Sequence, residues 1–333
     1  MDTAVGYLGA RVAPKGGAGL PGPTADERDA TPHANHFGAA ALGSVNWIVA
    51  SLMTSVAPRE IVSAHSPDSD DAFMFYGLAT KKVRSSKVTF RHVLEDIESL
   101  NRKAVEGLYD LSAISYHAYP YVADKYVLMA SGSSIGDGYG PMIIAMRPME
   151  PEELKGKRIA IPGTLTTAYL AAKLFEPDFE AVVTPFDQIT AAVRDRAADC
   201  GLIIHEAQLT YDREGFHRIV DLGRWFKSTY DLPLPLGGNV LLRSLGTEMQ
   251  SECCRLMRES IQYALDNHDE ALQYALQFAR DMEPRLAEKF VGMYVNHYTL
   301  DAGEVVPKAV QKLLDMGFEA GLISKRVDVE FVR

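Results

Sequence analysis

The stretch Lys157 to Leu174, K-R-I-A-I-P-G-T-L-T-T-A-Y-L-A-A-K-L, decides the fold. An apolar run of strand length ends at Ile161, Pro162-Gly163 breaks it, and apolar residues then recur at helical spacing. The segment reads as a strand, a turn and an amphipathic helix. Thr166 and Thr167 fall at the helix start, where a threonine hydroxyl commonly accepts a first-turn N–H. The same terminus, with its free N–H groups, suits a carboxylate. Taken alone, these two threonines favour the cap.

The same alternation runs outward on both sides. Ile61 to Ala64 is a short strand, S-P-D-S-D-D at Ser66 to Asp71 a turn, and A-F-M-F-Y-G-L a helix. Val88 to Phe90 is predicted as strand and Val93 to Val105 as helix, with Glu95, Asp96 and Glu98 complementing the helix dipole. Asp110 to Ile114 is the next strand, and Ser115 stands where the following turn begins. Downstream, Ala181 to Thr184 reads as strand and Phe186 to Arg196 as helix. Cys200 to Ile204 is a buried strand that delivers His205 and Glu206 at its carboxyl end. An α/β fold with largely parallel sheets follows, and its ligands belong on loops beyond the strand carboxyl ends. A lone histidine in such a place is more often structural than catalytic.

Tyr126 to Ala130 and Met142 to Ala145 are strands flanking S-G-S-S-I-G-D-G-Y-G-P. A dinucleotide fingerprint needs a helix after its glycines, and here Pro141 and a strand follow, so the glycines read as tight turns near a cleft or hinge. L-P-L-P-L-G-G-N-V-L-L at Leu232 to Leu242 reads as a crossover into a last strand. At 333 residues the chain suggests two interleaved lobes and a cleft. The expected boundaries are 58–146 with 240–333 for the first lobe and 147–239 for the second. Helices are expected over Thr247 to Phe278 and near Val305 to Met316.

Composition narrows the function. With 47% hydrophobic and 23% charged residues the chain is an ordinary globular protein. Its 44 acidic against 34 basic residues, a net charge of −10, disfavour nucleic acid and anionic lipid as partners. Cys200, Cys253 and Cys254 lack metal or redox spacing and fit a reducing compartment. His33 and His36 lie in a Gly/Pro/Ala-rich stretch too pliant to hold a metal, so no metal site is expected. Residues 1–57 read as a disordered or dispensable extension. Phe37 to Pro58 is uncharged but diluted by Gly43, Ser44, Asn46 and Ser51, which argues against a spanning helix. Cytoplasmic location is expected, with export by a weak signal left open.

Seven motifs now stand in order: H-S-P-D-S-D-D-A-F-M-F-Y from His65, L-E-D-I-E-S-L-N-R from Leu94, I-S-Y-H-A-Y-P from Ile114, the glycine loop from Ser131, P-G-T-L-T-T-A-Y from Pro162, G-L-I-I-H-E from Gly201 and L-P-L-P-L-G-G-N from Leu232. Together they resemble the 1,4-dihydroxy-6-naphthoate synthases of the futalosine route to menaquinone, from about Ile61 to the C-terminus. The resemblance implies a two-lobed periplasmic-binding-protein-like (type II) fold with an interlobe cleft. It implies a carbon–carbon lyase that acts on cyclic dehypoxanthinylfutalosine, a carboxylate, and needs no cofactor. His205 would be the general base, with Ser115, Tyr116, Thr166, Thr167 and Asp71 binding substrate. A homodimer is left open. Two other readings share the fold: a non-enzymatic solute-binding protein of a transporter, and a relative resembling chorismate dehydratase.

One departure stands out. Where the family's first loop has the sense S-P-C-P-N-D-T-F, this chain carries Asp68, Ser69, Asp70, Asp71 and Ala72, and Asp71 is the retained position. A carboxylate at Asp70 facing the cleft would raise the pKa of His205 or repel an anionic ligand. Carboxylates that merely cap the loop and helix would do neither.

Overall fold

Stretches of two to nine residues become strands, and the computed structural model, which describes residues 57–279 and 283–333, sorts them into two sheets. The expectations for residues 1–56 lie outside the described residues. The strands are β1 (Arg59–His65), β2 (Val88–Leu94), β3 (Leu111–Ser115), β4 (Tyr126–Met129), β5 (Ser134–Gly136), β6 (Met142–Ala145), β7 (Arg158–Ile161), β8 (Glu180–Val183), β9 (Cys200–Ile203), β10 (His217–Asp221), β11 (Leu234–Leu242) and β12 (Phe331–Val332). The first sheet runs β12-β4-β11-β3-β1-β2, with β5 also on β11; the second runs β10-β6-β9-β7-β8. Strands β1, β2 and β3 pair in parallel, as do β7, β8 and β9, whereas β11 and β6 run antiparallel to their neighbours. Both sheets are therefore mixed, and parallel only where helices cross over.

The helices that matter below are α1 (Ser69–Ala79), α2 (Ile97–Glu106), α3 (Thr167–Phe175), α4 (Leu222–Tyr230), α5 (Thr247–Asp266) and α6 (Pro284–Tyr294). Local chemistry sets their ends. Asp96 accepts from Ser99 N to open α2, and Gly107 closes it in the left-handed region at φ 80°. Strand β2 continues through Val93 and Leu94, residues predicted as helix, because its parallel pairing with β1 runs to His65 opposite Leu94. Helix α6 was not predicted, although Pro284 at its first turn and the spacing of Ala287, Phe290, Val291 and Tyr294 carry the signal.

The chain changes sheets earlier than the expected boundaries at 146 and 240. Met142–Ala145 pairs with β9 and β10 in the second sheet, and β11 re-enters the first sheet at Leu234. The crossover is pinned where Gly140 and Gly223 meet: Leu222 N donates to Pro141 O at 2.9 Å, and a Cβ on Gly223 would lie 1.9 Å from Tyr139 O. One continuous apolar core, with Ile114 and Leu128 from the first sheet and Ile143, Ile159 and Leu202 from the second, runs beneath both. A second core packs the first sheet on α1 and α5 through Phe73, Phe75, Leu256, Met257 and Ile261.

Candidate functional site

Strand carboxyl ends from both sheets converge on one cleft. It is lined by the acidic loop, by Ser115, Thr166 and Thr167, by Gly237 to Asn239 of β11, and by Phe290 and Tyr294 of α6. Among the described residues no lysine or arginine lines it. An anionic ligand here must be held by N–H and O–H donors.

The polar groups are arranged as donors. Ser115 N donates to Asn101 Oδ1 at 2.8 Å, and Asn101 Nδ2 returns a bond to Ser115 Oγ at 3.0 Å. Thr167 Oγ1 accepts from His117 N at 3.1 Å. Each hydroxyl thus has a lone pair engaged by a protein N–H and keeps its own hydrogen to give. In α3 the intrahelical bonds begin with Leu170 N donating to Thr166 O, so the N–H groups of Thr167 and Ala168 precede the ladder and sit at the positive end of the helix. Thr166 differs. Its hydroxyl donates to Gly163 O at 2.8 Å and accepts from Tyr169 N at 3.2 Å, which is the cap that residue type alone suggested.

Tyr116 does not line the cleft. It is fully buried, with its hydroxyl 2.8 Å from Ser133 Oγ and its ring beneath Gly238. The backbone turns into a 3-10 helix directly after Ser115, which sends the next side chain inward. Sequence reading also passed over Asn101, Asn239, Phe290 and Tyr294. The two asparagines stand inside quoted motifs, but nothing local marks which way they point.

His205 follows Ile204, which lines the cleft, and opens the 3-10 turn Glu206–Leu209. Its ring meets Phe186 edge to face at 5.4 Å. The turn is held from the far side: Gln208 N donates to His205 O at 2.9 Å, and Tyr294 Oη donates to Gln208 Oε1 at 2.9 Å. Helix α2 ties to the second sheet as well, since Leu165 N donates to Glu98 Oε2 at 3.1 Å. Two other histidines near these loops are built into the scaffold. Burial lowers His65 to about 3 and His117 to about 4, and each places Nδ1 against a backbone carbonyl, that of Ser66 and that of Thr166.

The acidic loop faces the cleft. Asp68, Asp70 and Asp71 all line it, and Asp68, at the helix N-cap position, makes no side-chain cap bond; Ser66 Oγ donates to it at 2.5 Å instead. Asp71 accepts from Ser66 N at 2.7 Å. Burial, then the charge of Asp68, raises Asp70 to about 7, and Glu206 beside His205 adds to the rise. Asp71 is raised by burial and by Asp70. Near neutrality the loop therefore carries less charge than its three carboxyls would in water. Among the described residues no group of three or more His, Cys, Asp or Glu side chains converges as a metal site. The described cysteines are free and buried, and burial pushes Cys200 up to about 11. No helix among the described residues is long and apolar enough to cross a membrane.

A family described as menaquinone biosynthesis matches residues 61–319. The chain is 39% identical over 257 residues to a 1,4-dihydroxy-6-naphthoate synthase of Thermus thermophilus, covering 77% of this chain and 93% of that protein. It is 35% identical over 269 residues to one of Streptomyces coelicolor, covering 78% and 93%. A crystal structure of an Archaeoglobus fulgidus protein superposes with a TM-score of 0.76 at 47% identity, covering 79% of this chain and 98% of that one. The alkanesulfonate-binding protein of Xanthomonas axonopodis superposes at 0.64 with 12% identity, covering 82% and 96%, a likeness of fold alone. The two-sheet architecture is thus that of the periplasmic solute-binding proteins.

Proposed function

The chain belongs to the menaquinone-biosynthesis family and groups there with the 1,4-dihydroxy-6-naphthoate synthases; from that premise we propose that it is a carbon–carbon lyase acting on cyclic dehypoxanthinylfutalosine, with His205 as its general base. The observation that supports this reading is that His205 directly follows Ile204, a lining residue of the cleft whose other walls offer hydroxyl and backbone donors and, among the described residues, no lysine or arginine. Such donors suit a carboxylate. In this reading the substrate's carboxylate lies against Ser115 O–H, Thr167 O–H and the first N–H groups of α3, away from the acidic loop.

That anchoring fixes the ring system between the two sheets. The imidazole of His205 removes a proton from the substrate, the carbon–carbon bond breaks in a retro-aldol sense, and the electron pair is drawn into the ring that becomes aromatic. The products are 1,4-dihydroxy-6-naphthoate and a small sugar-derived fragment, and no redox partner is needed. Phe186 packs the base from one side, and the Gln208–Tyr294 bond steadies its turn. Positioned proton transfer supplies about 10^2- to 10^4-fold in rate. Closure against water and aromatisation of the product would supply the rest.

The test is turnover of cyclic dehypoxanthinylfutalosine by the purified full-length protein. His205→Ala is expected to keep its circular dichroism and melting temperature while losing about 10^2- to 10^4-fold in kcat. Binding of the compound without product from the unmodified protein would overturn the enzyme reading in favour of solute binding.

A further inference from the structure

We infer that Asn239 Oδ1 is the acceptor for a ring hydroxyl of the bound ligand, so that Asn239 selects hydroxylated ring acids over bare ones. The assignment takes the naphthoate product as its ligand and therefore rests on the synthase reading.

Asn239 lies on β11 opposite Ala113, and its residue is 1% exposed although it lines the cleft. Its amide is oriented by the main chain: Nδ2 donates to Gly132 O at 3.0 Å. A carbonyl only accepts, so the nitrogen must face Gly132 and the oxygen must take the other side. Gly132 is shaped to this contact twice over. Its φ is +86°, and a Cβ there would lie 2.4 Å from Asn239 Nδ2. The amide is thus held in one pose, and among the described residues its buried Oδ1 has no hydrogen-bond partner.

A buried carbonyl oxygen left without a donor costs about 1–3 kcal/mol. A ligand that brings an O–H or N–H to this part of the cleft wall would remove that cost. Position selects which part of the ligand this is. Gly237 stands opposite Ser115 and Asn239 opposite Ala113, so Asn239 lies two residues along the strand from the level of the Ser115 donors, ~7 Å. That matches the span from the carboxylate of a bicyclic aromatic acid to its distal ring hydroxyl. One end of the ligand meets donors and the other meets an acceptor.

The experiment compares two ligands by titration calorimetry under anaerobic conditions: 1,4-dihydroxy-6-naphthoate and 2-naphthoate, which has the same skeleton and carboxylate without hydroxyls. The unmodified protein is expected to bind the dihydroxy acid more tightly. Asn239→Leu, close in shape, is expected to weaken the dihydroxy acid by about 5- to 150-fold, the equivalent of the stranded-acceptor cost, and 2-naphthoate by less than about two-fold. Asn239→Ala, which leaves room for a water, should give the same split with a smaller effect and guards against misfolding of the leucine variant. Equal weakening of both ligands means that Asn239 only supports Gly132, and no weakening of either means that its oxygen is idle; either result overturns the inference. If the unmodified protein converts cyclic dehypoxanthinylfutalosine and either result is seen, only this inference falls. If it converts nothing and binds neither acid, the synthase reading fails and takes this one with it.

Discussion

Replacing Asp70 with asparagine isolates the acidic loop, the feature that most distinguishes this cleft. Asp70 lines the cleft between Asp68 and Asp71, and its carboxyl is raised from 3.8 to about 7, first by burial and then by Asp68. A raised folded-state value means that the folded protein holds the proton more tightly than the unfolded chain does. The stabilisation is complete below the unfolded value near 4 and is lost as pH rises through about 7. At about 1.4 kcal/mol per pH unit, the interval from 3.8 to about 7 corresponds to at most about 4 kcal/mol. Asp70→Asn is neutral at every pH and keeps the side chain's shape. It also relieves Asp71, whose carboxyl is raised in part by the Asp70 charge. Urea unfolding at pH 4 to 8 and fixed ionic strength should show the variant level with the parent at pH 4. By pH 8 it should be more stable by about 1–4 kcal/mol, with an unchanged denaturant slope. Affinity for a carboxylate ligand should fall in the parent as pH rises from 6 to 8 and fall less in the variant, where Asp71 remains raised by burial. A difference independent of pH, or one that opens in the parent's favour, would refute the argument that a buried charge is suppressed there.

Asn101→Ala removes both bonds that hold Ser115 and is expected to cost about 1–3 kcal/mol in unfolding free energy, with KM raised and kcat little changed, read by steady-state kinetics. A loss confined to kcat would remove Ser115 from ligand binding. Gly223→Ala places a Cβ 1.9 Å from Tyr139 O and 2.6 Å from Gly140 N, both main-chain atoms, and is expected to cost about 3 kcal/mol or more. Gly138→Ala has φ +80° but no atom within 4 Å and should cost only about 1–2 kcal/mol, so the two melting temperatures should separate clearly.

Much of the molecule is legible in the chain because its signals are local. Strand runs such as Arg158–Ile161, the Thr166 cap three residues before Tyr169 N, and the exit of Cys200–Ile203 into His205 all depend on neighbours within a turn or two. The alternation of such units determined the fold class, and the ordered motifs identified the family. Other features required the folded chain. Met142–Ala145 and β11 look like ordinary strands, and only their partners decide the sheet and the antiparallel sense. Ser115 and Tyr116 are adjacent and point opposite ways, one to the cleft and the other to the core, and only packing shows which side is the cleft. Asn239 finds Gly132 across 107 residues, and Tyr294 finds Gln208 across 86. The sequence thus determined most of the elements, the placing of His205 at a strand end and the family. Tertiary structure decided which donors still have a hydrogen to give and which buried oxygen still lacks one, because hydrogen-bond saturation depends on partners that only packing brings within reach.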